Sequence, residues 1–261
     1  MKFFIVLPNI YTKKEIEILR ESCKRLNVIL KKIARSAKEG VSLDKLNALA
    51  EDLIYAGGDK PSFLNYKSDQ KDNPYPSSLC ASVNDEVVHG VAKNNSRTLK
   101  EGDIVNLDLG LIHRGFFSDK AVMVGIGKLK SEDINLMKAT KSALEAGIGA
   151  IKNGRTTNDI GGAIEAVART RGFTIIKELG GHGVGHNVHE EPFVPNFREE
   201  KAGTILKTGM VIALEPIITS GRGEIYLADD GHTYKTIDGK NCAQWEDTVL
   251  VTDTGFEILT R

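Results

Sequence analysis

The chain has 261 residues, room for one large domain or two small ones with a sizeable core. Basic and acidic residues balance at 35 each, so nothing suggests electrostatic capture of nucleic acid or an anionic membrane. Three cysteines without paired spacing suit a reducing cytoplasm, and no stretch approaches the ~20 apolar residues that span a bilayer. The opening Met1-Lys-Phe-Phe-Ile-Val-Leu7 resembles the start of a leader. Its apolar run stops at Pro8-Asn9, short of the ~7–15 residues a leader core needs, so a first strand or arm is expected. A helix then starts at Thr12, whose partner Glu15 completes a capping box, with Ile16, Leu19, Cys23, Leu26, Leu30 and Ile33 at helical spacing. Lys38-Glu-Gly-Val-Ser42 breaks it, and Ser42 caps a second helix ending at Gly57-Gly58. The polar stretch Asp59 to Ser78 is expected to be a solvated surface loop; a lid on the substrate side is the sharper alternative. The helix pair recurs from Ser131 to about Gly172, with Lys38, Gly40, Ser42, Leu46 and Gly58 mapping onto Lys152, Gly154, Thr156, Ile160 and Gly172. Each pair is followed by strands.

Four carboxylates and a histidine stand out against this frame: Asp108, Asp119, His182, Glu215 and Glu246. The stretch Ile104 to Asp119 reads as a β-hairpin, because Val105, Leu107 and Leu109 alternate with Asn106, Asp108 and Gly110. A turn centred on His113-Arg114 would set Asp108 and Asp119 directly opposite, about 5 Å apart at Cβ, where like charges destabilise a bare sheet. A cation between them removes that penalty. A bulge at Arg114-Gly115 would displace them from direct opposition. Glu215 closes the apolar run Met210-Val-Ile-Ala-Leu-Glu-Pro216, and Glu246 precedes a buried strand ending at Val251. His182 lies in Gly180-Gly-His-Gly-Val-Gly185, where glycines would let the backbone approach a ligand closely. Those glycines also argue against a helical three-histidine zinc site from His182, His186 and His189. Four carboxylates beside a neutral imidazole match two divalent ions in charge, and hard oxygen ligands with one imidazole suit Mn, Fe(II), Co or Zn.

Six strings carry a resemblance: Ser82-Val-Asn-Asp-Glu-Val-Val-His-Gly90, Gly102-Asp-Ile-Val-Asn-Leu-Asp108, Gly181-His-Gly-Val-Gly185, Val188-His-Glu-Glu-Pro192, Glu215-Pro216 and Ala243-Gln-Trp-Glu246. In that order they resemble the type I methionine aminopeptidases, metallopeptidases of pita-bread fold, from about Thr12 to Thr260. The resemblance implies an α+β fold of two pseudo-symmetric halves, about 12–125 and 126–261, forming one catalytic domain over 1–261. It implies that Glu215 both binds metal and shuttles a proton. His89 would contact the backbone beyond the scissile bond, and His189 would hydrogen-bond the substrate carbonyl. Tyr75 and Cys80 match positions of the pocket for the first side chain. This chain departs from its relatives at Val188, where a bulkier residue is common, and at His232, where several carry tryptophan. Asp247 stands where histidine is usual.

The implied substrates are the N-termini of nascent polypeptides with a small second residue. A cytoplasmic monomer in transient contact with the ribosome is expected, with no nucleic-acid or membrane partner. An Xaa-Pro aminopeptidase or prolidase would share all five ligands, but those enzymes usually carry a further amino-terminal domain. Non-enzymatic binding relatives typically lose ligands, and here all five remain. No P-loop string is present, which disfavours phosphoryl transfer.

Overall fold

The computed structural model describes residues 7–67 and 73–261, so the expected arm at Met1 to Val6 and the centre of the 59–78 segment lie outside the described residues. Helices α1 (Lys13–Ser36) and α2 (Leu43–Ala56) precede strands β1 (Lys60–Pro61), β2 (Leu79–Val83), β3 (Glu86–Val88), β4 (Ile104–His113) and β5 (Phe116–Gly125). The second half repeats this order. Helices α3 (Ser131–Gly149) and α4 (Thr157–Thr170) lead into β6 (Thr174–Ile175), β7 (Gly180–Gly183), β8 (Glu190–Pro195), β9 (Val211–Leu214) and β10 (Ile217–Thr219). There follow β11 (Ile225–Leu227), β12 (Tyr234–Thr236), β13 (Cys242–Gln244), β14 (Asp247–Val251) and β15 (Phe256–Ile258).

Helix starts follow the local signals. The Thr12 amide donates to Glu15 Oε2 at 2.7 Å, and the Glu15 amide returns a 3.4 Å bond to Thr12 Oγ1. Thr156 and Asp159 make the equivalent contact at the start of α4, and Ser42 Oγ accepts from the Lys45 amide. The apolar stripe of α1 is divided between two cores. Leu26, Leu30 and Ile33 pack with α2 and the β2–β4 strands, whereas Leu19 and Cys23 pack with Val211, Ala213 and Leu250 of the second half. Helix α1 therefore spans the junction. Helices α3 and α4 cover their own core, which includes Ile212, Leu214, Ile218 and Val249.

All strand pairs are antiparallel: β1 and β2 flank β4, β4 pairs β5, and β15-β14-β9-β7-β8 form the largest sheet. The β4–β5 register corrects one expectation. Asp108 pairs with Ala121 and Gly110 with Asp119, so the aspartates are diagonal and not opposite. The turn is centred on Arg114-Gly115, with φ of 50° and 86°. Two residues in the left-handed region make the primed turn that matches strand twist, and Gly115 takes that conformation without a Cβ penalty. The shift is two residues in pairing, so both aspartates stay on one face.

The 59–78 segment also differs from expectation. Lys60, Asn65, Lys67, Asn73 and Pro74 are exposed, but both ends of the segment are anchored. Asp59 accepts from Arg25 Nε at 2.8 Å and pairs with His113 Nδ1 at 2.8 Å. Pro61 pairs with Leu111, and Phe63, Tyr75, Ser77 and Ser78 are buried. Apolar side chains flanking the polar centre draw both ends onto the sheet.

Candidate metal centre

Both halves deliver side chains to one cavity of about 450 Å³. Asp108 and Asp119 come from the shared face of β4 and β5. His182 comes from β7, Glu215 from the end of β9, and Glu246 from the step between β13 and β14. All five line this cavity. His182 Nε2 stands 3.6 Å from Glu215 Oε1 and 4.0 Å from Asp119 Oδ2. One ligand-type atom from each of Asp119, His182 and Glu246 lies within 4.8 Å of the others. The Glu246 amide donates to the Ala121 carbonyl at 3.0 Å, and Thr248 Oγ1 donates to the Asp119 carbonyl at 2.6 Å. These bonds lock β5 to the start of β14, so Asp119 and Glu246 are held together although 127 residues apart.

The glycines around His182 have a different reason from the one expected. A Cβ on Gly181 would strike the carbonyl oxygen of Ala213, and one on Gly183 that of Glu191. The close approach of these two is to neighbouring strands, and it lets β7 fit between β8 and β9. His182 is on strand β7, and among the described residues no helix carries His182, His186 and His189 together.

The electrostatics show what the cluster is suited to hold. Asp108, Asp119 and Glu246 are buried, and Asp108 Oδ1, Asp119 Oδ1 and Glu246 Oε1 have no hydrogen-bond partner. Burial, reinforced by mutual repulsion, pushes Asp119, Glu215 and Glu246 well above the usual carboxylate range. Burial alone lifts Asp108 to about 7. His182 Nδ1 lies 3.0 Å from the Gly183 carbonyl, and burial lowers the ring to about 3. With Nδ1–H donating to that carbonyl, the lone pair is on Nε2, facing the carboxylates. Unpaired buried oxygens of one sign are costly unless a cation compensates them. The residues present therefore fit divalent metal ions.

The remaining predicted site residues divide into two groups. His89, His189, Tyr75, Cys80 and His232 line the same cavity. His89 follows β3 in a left-handed conformation, φ 59°, and burial lowers its pKa to about 4. His189 stands edge-on to His182 at 4.4 Å and is likewise lowered to about 4 by desolvation. His232 packs edge-on against Tyr75 at 5.4 Å. Val188 is the exception. It is 1% exposed and packs with Phe63, Tyr75 and Cys80 behind the wall rather than on its surface. A short side chain directed into the core does not reach the cavity. His186 is exposed and rests on Tyr11 and Phe116, away from the metal cluster. Asp247 bonds Lys120, Thr260 and Arg261, none of which lines the cavity.

Several residues were not anticipated. Gln244 Nε2 donates to Glu215 Oε2 at 2.8 Å, Asn196 Nδ2 donates to the Glu215 carbonyl at 3.0 Å, and Tyr66 Oη lies 2.8 Å from His189 Nδ1. Gln244 shares strand parity with Glu246, a signal the sequence did contain. Tyr66 lies in the segment read as a surface loop, where no local pattern marks it. A second groove, with Val88, Leu179, Phe193 and Ile217, opens beside His89, His189 and Glu215.

Residues 17–253 match the model of metallopeptidase family M24. The chain is 42% identical to the methionine aminopeptidase of Aquifex aeolicus, over 97% of this chain and 98% of that one. It is 36% identical to methionine aminopeptidase 1 of Bacillus subtilis, over 96% and 98%. The crystal structure of methionine aminopeptidase from Rickettsia prowazekii superimposes with a TM-score of 0.92 at 33% identity, covering 98% of this chain and 100% of that one. The prolidase of Pyrococcus furiosus superimposes at 0.76 with 23% identity, and 65% of its length is covered. That likeness establishes a shared fold only.

Proposed function

The chain belongs to metallopeptidase family M24, and from that premise we propose that it is a methionyl aminopeptidase, releasing N-terminal methionine when the second residue is small. Its fold is the pita-bread α+β fold of that family. The observation that carries the reading is the convergence of five ligand-type side chains beside a cup of Phe63, Tyr75, Cys80 and His232. A flexible thioether suits a wall of aromatic rings and sulfur.

Asp108, Asp119, His182, Glu215 and Glu246 would hold two divalent ions, of Co, Mn, Fe(II) or Zn. Such ions supply Lewis-acid polarisation and make water a competent nucleophile near neutral pH. Glu215 takes the proton from the attacking water and returns it to the leaving amine, a transfer typically worth ~10²–10⁴-fold. Gln244 orients the Glu215 carboxylate through the 2.8 Å bond. His189 donates to the substrate carbonyl as negative charge develops there. His89 meets the backbone beyond the scissile bond, at the opening of the second groove.

The 261 residues act as one catalytic unit, because the halves 12–125 and 126–261 each contribute ligands to a single cavity. The substrates are new protein N-termini, met by a monomer near the ribosome. A cytoplasmic setting agrees with three free, buried cysteines. Among the described residues no helix is long and apolar enough to cross a membrane.

The test is release of the first residue from Met-Ala-Ser, Leu-Ala-Ser and Ala-Pro peptides, by metal-stripped protein and after addition of Mn, Fe(II), Co or Zn. Metal-dependent preference for Met-Ala-Ser is expected. Faster cleavage of Ala-Pro peptides would establish a prolidase-like activity instead.

A further inference from the structure

Tyr66 and His189 are 123 positions apart, yet the phenol oxygen lies 2.8 Å from Nδ1 of the imidazole. We propose that Tyr66 is a positioning residue that fixes the His189 ring so that Nε2–H is turned to the substrate carbonyl. This rests on the oxyanion role given to His189 above.

Three observations support the assignment. The first is the constraint on the ring. The terminal torsion of a histidine is broad and roughly two-fold, so an unrestrained ring exchanges Nδ1 with a carbon by flipping. Here one side is held by Tyr66, and the ring stands edge-on to His182 at 4.4 Å and 86°. A flip would break the Tyr66 bond and direct a C–H at the phenol.

The second observation is that Tyr66 is itself braced. Asn65 adopts the left-handed conformation, φ 63°, which asparagine tolerates better than most side chains and which turns the chain here. The Asn65 amide donates to the Tyr75 carbonyl at 2.8 Å, and the Tyr75 amide donates back to the Tyr66 carbonyl at 2.9 Å. The Tyr66 amide donates to the Phe63 carbonyl at 2.9 Å. The phenol therefore projects from a closed neck and not from a free loop.

The third is hydrogen-bond inventory. A phenol carries one donor, and the tautomer of an imidazole follows the bond made by its other nitrogen. Assigning the Tyr66 O–H as donor to Nδ1 puts the ring proton on Nε2, the nitrogen left for the cavity. Forming part of the cavity wall needs only the tyrosine ring. The hydroxyl adds the contact with His189.

The experiment compares Tyr66→Phe, His189→Ala and the double variant as zinc-loaded full chains. Partners on the far nitrogen of metal-bound histidines are worth ~10–100-fold, and a comparable fall in kcat is expected for Tyr66→Phe. KM and zinc content should stay at wild-type values. In the His189→Ala background, Tyr66→Phe should cause no further loss, since the two act as one unit. Histidine ¹⁵N spectra of the wild type should show His189 with an unprotonated, hydrogen-bonded Nδ1 and a protonated Nε2. Tyr66→Phe should give a tautomer mixture. Multiplicative losses in the double variant, an effect confined to KM, or a protonated Nδ1 in the wild type would each overturn the proposal. The spectrum needs no substrate, so it is decided separately from whether methionine is the residue released.

Discussion

Substituting His189 separates chemistry from metal binding. His189→Ala is expected to lower kcat by ~10²–10³, the cost of one oxyanion donor, with KM and metal content nearly unchanged. The geometry supports this split, because His189 packs against His182 without joining the Asp119, His182 and Glu246 cluster. His186→Ala is the control: its ring rests on Tyr11 and Phe116, so turnover should stay close to wild type. A larger kcat loss in His186→Ala would reverse the two assignments. Charge makes the complementary case at the ligands. Asp108→Asn or Glu246→Gln leaves a two-ion site one negative charge short. Both should bind less metal by elemental analysis and lose most activity; full metal content with near-normal rates would exclude a dinuclear centre.

At the scale of elements, the weak point to probe is the junction of β5 with β14. Lys120 and Asp247 follow Asp119 and Glu246 directly in sequence and form a buried ion pair joining the two strands. Thr260 Oγ1 donates to Asp247 Oδ1 at 2.8 Å, and Arg261 clamps Oδ2 through Nε at 2.9 Å and Nη2 at 2.8 Å. Removing one partner of a buried pair typically costs ~3–5 kcal/mol, because the other charge is left without compensation. Asp247→Asn should therefore lower the unfolding free energy obtained from urea titration by an amount in that range. Lys120→Met with Asp247→Leu should be milder, since neither charge remains. An Asp247→Asn variant within ~0.5 kcal/mol of wild type would show that the pair does not brace the junction.

For the whole molecule, the buried carboxylates and histidines of the cavity are expected to couple stability to pH and metal. Asp108 at about 7, and Asp119, Glu215 and Glu246 above the usual range, bind protons more tightly folded than unfolded. Their contribution is present at low pH and is lost as pH rises through the folded values. His89 and His189, both lowered to about 4, and His182, lowered to about 3, act oppositely and lose stability as pH falls below their ordinary value, about 6.5. The metal-free protein should consequently melt at lower temperature at pH 8 than at pH 6.5. Adding Mn at 100 times Kd should stabilise by about 2.7 kcal/mol. The increment at fixed Mn should be larger at pH 8, where the ligands are ionised. Calorimetry showing an equal or smaller metal effect at pH 8 would contradict the electrostatic account of the site.

Helix starts and the five side chains that converge on the cavity were legible before any packing was known. Thr12 with Glu15 and Ser42 with Lys45 are contacts within three residues, so backbone chemistry alone places them. The five candidate side chains were legible because metal chemistry demands particular residue types, carboxylates and imidazole, whatever the packing. Tertiary structure decided the contacts that span the chain. Tyr66 reaching His189, Lys120 reaching Asp247, and Val188 turning behind the pocket wall leave no local pattern. The glycines beside His182 look alike in sequence whether they face a ligand or neighbouring strands, and only the sheet distinguishes the two. The reason is physical: caps and alternation act within a few residues, whereas side-chain partners are fixed by how sheets and helices pack.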